Sequence, residues 1–267
     1  MSDLPLRRWE RGSAFRARLL AGEPVFGTFL STGSALSAET AGRAGFDWAL
    51  VDLEHGFANE ATLVAELMAV ELSGAATLVR VESNAPLRIG RVLDQGAMGV
   101  MVPRIRTAEE AAAAASAMRY PPSGTRGVAL SVRGAEYGGA SATDVGLIDE
   151  GLTTIIQIEN DAALAAVEQI AAVPGVDLLF VGPNDLTHSM GIPGRFDDPR
   201  YLEALALVAG AARAAGKAAG VMLRNPGEVR SHFELGYSFF AISTDASLLA
   251  ATEREAVAAA RAAVDDD

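Results

Sequence analysis

The residues best suited to chemistry in this 267-residue sequence stand at the ends of short apolar runs. Counting eight such runs, the polar residues are Asp52, Glu54 and His55 at the end of the second, Arg80 and Glu82 at the end of the third, Gln157 and Glu159 at the end of the fifth, and Asn184 and Asp185 at the end of the sixth. A single carboxylate at such a place is commonly only the N-cap of the following helix. Because acids, an arginine and a histidine recur at the same kind of place, their joint occurrence favours a reactive site.

Glu159 and Asp185 are the best candidates for holding a metal ion. If their runs form adjacent parallel strands, the two carboxylates converge at one edge and offer oxygen atoms only. Hard divalent ions such as Mg²⁺ or Mn²⁺ take these ligands and keep several waters for exchange, whereas zinc wants more nitrogen ligands. Arg80 fits an anion-binding role because a guanidinium matches a carboxylate with two hydrogen bonds, although a salt bridge to a neighbouring acid explains it equally well.

The chain has three histidines and no cysteine. The lack of cysteine excludes thiol nucleophiles, iron–sulfur sites and disulfide scaffolds. His55 precedes Gly56 at a loop start, where an imidazole can act as acid or base, or can be only a helix cap or surface residue. His188 is expected near the same end of the fold on a mobile loop, and His232 is expected to be structural because it lies within a helical pattern.

Charge and composition limit the partners of this protein. The formal net charge of −12 opposes binding to nucleic acid or to an anionic lipid surface, because both need a positive field. No stretch reaches the roughly 18 apolar residues of a membrane-spanning helix, and the N-terminus lacks the apolar core of a signal peptide. We therefore expect a cytoplasmic protein that acts on small molecules.

The eight apolar runs alternate with longer alanine-rich segments of helical period, which is typical of a parallel sheet covered by helices. The runs cover residues 25–31, 46–54, 76–82, 99–105, 153–159, 176–183, 218–223 and 237–243. This rhythm predicts an α/β fold, a TIM (β/α)8 barrel with an extra N-terminal helix. A doubly wound open sheet is the main rival, but STGSALS after the first run lacks its glycine-rich phosphate turn.

The whole chain, residues 1–267, is expected to form a single barrel domain. Residues 1–22 are expected to contain the extra helix, and residues 264–267 to form an acidic solvated tail. The long irregular stretch 121–144 suggests either a lid or a contact between subunits, because long loops in compact domains are usually functional.

Several of these stretches resemble the HpcH/HpaI aldolase family, the metal-dependent pyruvate aldolases. The resemblance extends from about residue 20 to 260, and the segments that carry it are DLEHG, RYPPSGTRG, QIE and GPNDL, in this order. It implies a TIM barrel and an enzyme that reversibly cleaves 4-hydroxy-2-oxo acids to pyruvate and an aldehyde through a metal-bound pyruvate enolate. It also implies a homohexamer, a trimer of dimers in which the last helix is exchanged between subunits.

The same resemblance implies roles for individual residues. Glu159 and Asp185 would bind Mg²⁺, Mn²⁺ or Co²⁺, and Arg80 would contact the keto oxygen of pyruvate. The remaining implied roles are Gln157 beside Arg80, His55 as the acid–base residue supported by Asp94, Asp52 in the shell behind His55, and the backbone of Gly182, Pro183, Asn184 and Asp185 around the pyruvate carboxylate.

An aldolase can also activate its substrate through a lysine Schiff base, and the sequence bears on this alternative independently of the resemblance. Lys217 is the only lysine, and it precedes the seventh run, at the end of the predicted barrel away from the reactive side chains. A Schiff base is therefore disfavoured, and a metal is needed in its place.

Three positions depart from the family pattern. Glu82 stands where relatives commonly have proline, Ala85 replaces an acid, and Ala129 replaces a glycine. Glu82 could change the aldehyde preference or pair with Arg80. Two further functions remain open: a citrate-lyase-like or malyl-CoA-lyase-like enzyme of the same superfamily, and a catalytically silent barrel that acts as a binding protein.

Overall fold

Eight parallel strands close into a barrel in the computed structural model, which describes residues 6–265. The strands are β1 (Val25–Leu30), β2 (Trp48–Asp52), β3 (Ala76–Arg80), β4 (Gly99–Val102), β5 (Thr153–Ile158), β6 (Leu178–Val181), β7 (Ala218–Leu223) and β8 (Phe239–Thr244). Each strand pairs with the next in the chain, and β8 pairs with β1. The predicted TIM barrel is confirmed, with one strand in each apolar run, and the open-sheet alternative is wrong.

Helices surround the barrel and connect its strands. Within residues 6–265 they are α1 (Arg8–Leu20), α2 (Ala35–Arg43), α3 (Glu60–Glu71), α4 (Pro86–Asp94), α5 (Ala108–Met118), α6 (Val145–Glu150), α7 (Asp161–Ala165), α8 (Val167–Ala171), α9 (Pro183–Ser189), α10 (Pro199–Ala214), α11 (Val229–Leu235) and α12 (Asp245–Asp265). Over the same residues, no helix combines the length and apolar character needed to cross a bilayer.

At the two ends of the chain the structure agrees only in part with the predictions from the sequence. The predicted N-terminal helix is present as α1, whereas residues 1–5 lie outside the described part of the chain. The acidic tail predicted for residues 264–267 begins inside α12, and residues 266–267 lie outside the described part.

Aromatic side chains fill the barrel interior. The rings of Trp48 and Phe239 stack with their centroids 4.1 Å apart, and Phe180 meets Phe239 edge to face at 6.0 Å. Gly220 on β7 leaves room for this layer, because a Cβ there would lie 2.9 Å from the rings of both Phe180 and Phe239. Side chains therefore fill the interior of the barrel, and a ligand has access only at one of its ends.

Helix α1 closes the amino-terminal end of the barrel. Its Phe15 and Leu19 belong to the same apolar cluster as the interior aromatic residues. Its Arg16 donates a hydrogen bond of 2.7 Å to Asp177, which precedes β6. The open end is consequently the carboxyl-terminal one, where the active sites of TIM barrels lie.

The long stretch 121–144 lies at the closed end and not over the open one. It follows α5 and precedes β5, so both of its ends are at the amino-terminal side of the barrel. Within it, Arg126 binds Asp94 at 2.8 Å and Arg133 binds Glu71 at 2.8 Å. The suggested lid over the mouth of the same chain is therefore wrong, while a contact between subunits stays a prediction.

Candidate active site

A cavity of about 580 Å³ opens at the carboxyl-terminal end of the barrel. The loops after β2, β4, β5 and β6 form it. Its lining residues are Glu54, His55, Arg104, Arg106, Glu159, Asn160 and Asp185. Four separate strand ends thus bring acids, arginines and a histidine to one place.

Arg80 is fixed beneath this cavity by an ion pair with Asp52. The register of β2 and β3 places the two residues side by side, and the guanidinium donates two hydrogen bonds to the carboxylate, Nε to Oδ1 at 2.8 Å and Nη2 to Oδ2 at 2.6 Å. Nη1 lies 3.4 Å from Glu54 Oε2, and the guanidinium stands over the ring of Phe29. Burial alone would lower the pKa of Arg80, but the bonds to Asp52 and the charge of Glu54 raise it, so the residue stays charged.

Asp52 also holds the turn that carries His55. Its Oδ1 accepts the backbone N–H groups of Glu54 at 3.1 Å and of His55 at 3.3 Å. Gly56 allows this tight turn, since a Cβ there would lie 2.3 Å from the carbonyl oxygen of Asp52. The imidazole of His55 is 59 % exposed, with Nε2 3.8 Å from Glu54 Oε2, so it can reach a molecule in the cavity.

Glu159 is a buried carboxylate that does not lose its proton easily. It is only 7 % exposed, and its Oε1 accepts the backbone N–H of Arg104 at 2.6 Å. Burial, together with the negative charges of Glu54 and Asp185, raises the pKa of Glu159 to about 7, although the N–H of Arg104 and the charge of Arg80 act in the opposite direction. A cation beside this group would relieve the repulsion among the three acids.

The donor groups around Glu159 suit a hard divalent cation. Asp185 lies exposed in the first turn of α9, and Gln157 is buried with its Oε1 lacking any partner among the described residues. A Cβ at Gly182 would lie 2.7 Å from Gln157 Nε2 and 3.2 Å from Glu159 Oε2, so the glycine keeps this space open. Within residues 6–265 no group of three or more acids, histidines or cysteines is placed to hold a metal ion, so a cation here would have Glu159 and Asp185 as its two carboxylate ligands, a number that Mg²⁺ sites often have.

Asp94 lies far from the cavity within one chain. It ends α4, and since each helix runs back against its strand, this end is at the closed side of the barrel. There its carboxylate accepts a hydrogen bond of 2.8 Å from Arg126, and the structure does not bring it to His55.

The other histidines make local contacts and do not line the cavity. His188 Nδ1 lies 2.8 Å from the carbonyl oxygen of Asn184, on helix α9 and not on a loop. His232 lies on α11, and its Nδ1 is 2.9 Å from the carbonyl oxygen of Glu228, the residue before that helix. Both bonds join a side chain to the backbone four residues earlier.

Glu82 and Lys217 lie outside the residues that line the cavity. Glu82 accepts a hydrogen bond of 2.9 Å from Arg88, so its suggested pairing with Arg80 is wrong. Lys217 directly precedes β7 and lies at the amino-terminal end of the strand, away from the cavity.

Sequence reasoning gave no role to Arg104, Arg106 or Asn160, and noted Glu54 without assigning one. The sequence does contain a signal for the arginines, since Arg104 stands at the end of the fourth apolar run and Arg106 directly follows that run, in VPRIRT. Arg104 adopts a φ of 60°, an uncommon value for a residue other than glycine, which no propensity would have indicated.

Comparison with known proteins agrees with this geometry. The sequence model of the HpcH/HpaI aldolase/citrate lyase family matches residues 25–252. The chain belongs to this family. The resemblance identified from short motifs is thereby confirmed, and so is the prediction of a lyase of the aldolase class.

Relatives within the family cover nearly the whole chain. A 2-dehydro-3,6-dideoxy-6-sulfogluconate aldolase from Pseudomonas putida is 40% identical over 241 residues, 87% of this chain and 91% of the relative. A hydroxypyruvate/pyruvate aldolase from Agrobacterium fabrum is 38% identical over 240 residues, 90% of each chain. The crystal structure of a family member from Burkholderia cenocepacia has a TM-score of 0.88 at 35% identity and covers 93% of this chain and 99% of its own.

Proposed function

We propose that this family member is a divalent-metal-dependent aldolase that reversibly cleaves 4-hydroxy-2-oxo acids to pyruvate and an aldehyde. The observation that carries the proposal is the arrangement at the open end of the barrel. There Glu159 and Asp185 line one cavity with His55, and Arg80 is fixed directly beneath. These side chains cover the needs of the reaction, which are ligands for a cation, a fixed positive charge and a base.

Glu159 and Asp185 would hold Mg²⁺, Mn²⁺ or Co²⁺. Gln157 lies near Glu159, and its buried amide oxygen has no partner within residues 6–265. When bound, the cation supplies a Lewis acid that stabilises negative charge on the keto oxygen of the substrate. The backbone from Gly182 to Asp185 would lie against the pyruvate carboxylate. The open space at Gly182 supports this arrangement, because any Cβ would fill it.

Arg80 and His55 have different tasks in this proposal. Arg80 provides a second positive charge near the keto oxygen, and its ion pair with Asp52 fixes its orientation before the substrate arrives. His55 takes the proton of the C4 hydroxyl as the C3–C4 bond breaks and releases it to solvent, and the pyruvate enolate takes a proton from solvent at C3. The exposure of the imidazole at the cavity wall supports this role.

We further propose that the chain works as a homo-oligomer, a hexamer by its resemblance to the family. Helix α12 supports this, since after Asp245 it has no buried residue as far as residue 264. Leu248 and Leu249 lie exposed beside a largely apolar cavity of about 560 Å³ that also includes Leu36 and Phe46. Asp94 would support His55 only from a neighbouring subunit. We also propose a cytoplasmic location, which fractionation of cells would test.

The experiment combines pyruvate with several aldehydes in the presence of Mn²⁺ or of a chelator. The expected results are adduct formation only with metal, and exchange of the C3 hydrogens of pyruvate with solvent. Glu159→Gln and Asp185→Asn should lose both activities, and His55→Gln should slow cleavage more than exchange. Turnover that survives chelation, or trapping of pyruvate on Lys217 by borohydride, would contradict the proposal.

A second candidate, a citrate-lyase-like enzyme, is favoured by one structural similarity. A crystal structure described as the citrate synthase SbnG has a TM-score of 0.85 at 25% identity and covers 94% of this chain. The aldolases named above are more similar in sequence, so we rank this candidate second. Including CoA thioesters among the substrates separates the two functions.

A further inference from the structure

Two arginines stand at the rim of the candidate active site, above the level of Arg80. Arg104 and Arg106 both line the cavity, and their side chains are 69% and 66% exposed, whereas that of Arg80 is 9% exposed. Arg80 already donates two hydrogen bonds to Asp52. A substrate held at the deep end would therefore present its far end to the rim arginines.

The backbone at Arg104 links the rim to the floor of the site. Its φ of 60° is left-handed, and in this conformation its N–H donates to Glu159 while its side chain extends along the cavity wall. Glu159 is a proposed metal ligand, so the position of Arg104 is tied directly to the place where the reaction would occur. The hydrogen bond from its N–H therefore fixes the backbone of Arg104 relative to Glu159.

Arg104 retains unused hydrogen-bonding capacity. Only its Nε has a partner among the described residues, Glu54 Oε1 at 2.9 Å, so two terminal nitrogens remain for a ligand. Arg106 pairs with Glu110 at 3.0 Å on the exposed start of α5. Exposed ion pairs of this kind contribute little to stability, so a bound anion can replace this one readily.

We propose that Arg104, assisted by Arg106, binds an anionic group on the aldehyde half of the substrate, a carboxylate or a sulfonate. This inference rests on the proposed function and adds the class of its second substrate. A guanidinium suits these groups because its planar array of N–H donors matches two oxygens at once. The rim arginines also offset the net charge of −12, which otherwise repels an anion approaching the site.

The test compares two aldehydes of similar size, glyoxylate with a carboxylate and glycolaldehyde without one. The measured quantity is the ratio of their kcat/KM values in aldol addition to pyruvate. In Arg104→Gln the ratio should fall about tenfold, as expected for one lost charge-assisted hydrogen bond. Arg106→Gln should lower it by a smaller factor, and Arg104→Lys should restore part of it. Arg91→Gln, an exposed arginine on α4, is the control and should leave the ratio unchanged.

Each outcome distinguishes this inference from the function on which it rests. If Arg104 only positions Glu54, its variant slows both aldehydes by the same factor, and the unchanged ratio overturns the anion site. If the wild-type protein exchanges the C3 hydrogens of pyruvate but the ratio is the same in every variant, the aldolase proposal stands and the anion site is wrong. A wild-type protein with neither exchange nor addition overturns both.

Discussion

Replacing Asp52 by alanine would remove the partner that fixes Arg80. The carboxylate accepts two hydrogen bonds from the guanidinium, at 2.8 and 2.6 Å, and two more from the backbone of the turn that carries His55. Both side chains of the ion pair are buried, with exposures of 9% for Arg80 and 4% for Asp52. The substitution therefore leaves a buried charge without its main partner.

The expected loss of stability follows from this burial. Removing one partner of a buried ion pair costs about 3–5 kcal/mol, because the remaining charge is left uncompensated. We expect the lower end, about 3 kcal/mol, since Glu54 Oε2 remains 3.4 Å from Nη1 of Arg80. For a chain of this size, that loss lowers the melting temperature by roughly 6–12 °C. The rate of pyruvate exchange should fall about a hundredfold, as a misplacement of 1 Å in a catalytic group can cause.

The assay is urea unfolding for stability and NMR of pyruvate in D₂O for exchange. Asp161→Asn is the control, an exposed acid near the same end of the barrel, and should change stability by less than about 0.5 kcal/mol. The double variant Asp52→Ala with Arg80→Leu should be less destabilised than the sum of the single variants, since no unpaired charge remains. Additive effects, or a single Asp52 variant with wild-type stability and exchange, would refute the reasoning.

Three further predictions concern stability and assembly. In chelated protein the pKa of Glu159 is raised from 4.5 to about 7, so the free energy of unfolding falls as the pH rises through this window. Glu159→Gln lacks this titration, so urea unfolding should show it to be more stable than wild type by up to about 3 kcal/mol at pH 8. Near pH 4 the two proteins should be equally stable. Gly220→Ala should destabilise by about 1–3 kcal/mol in thermal melts, because the new Cβ meets two aromatic rings, whereas Gly146→Ala, in open space, should not. Leu249→Asp should reduce the light-scattering mass from the value expected for the proposed hexamer of 27.7 kDa chains, about 166 kDa, and an unchanged mass would contradict the role of α12.

The sequence predicted the barrel and most of the mouth because both follow from one geometric rule. Parallel strands end at the same side, so the polar residues at the ends of the second, third, fifth and sixth runs had to converge. The structure places Asp52, Arg80, Glu159 and Asp185 at that side. The positions of the apolar runs alone predicted where each strand ends, without information on any contact between side chains.

Other features depend on information that short motifs do not contain. The partner of Arg80 is set by the register of β2 and β3, which pairs it with Asp52, whereas Glu82 turns to Arg88. The position of Asp94 depends on where a helix ends, and a helix that returns along the barrel ends at the closed side. The same rule would have excluded a lid at residues 121–144, since that stretch follows a helix and not a strand.

One wall of the mouth combines two local costs, a left-handed backbone and a buried acid. Arg104 has a left-handed backbone, which costs on the order of 1 kcal/mol or more for a residue other than glycine. Glu159, which accepts its N–H, is buried near two other acids and favours its neutral form up to about pH 7. A cation at Glu159 and an anion at Arg104 would each compensate the charge left exposed by this arrangement. Removing the charge of Glu159 should therefore stabilise the empty protein while abolishing its activity, whereas Arg104 should affect the choice of aldehyde.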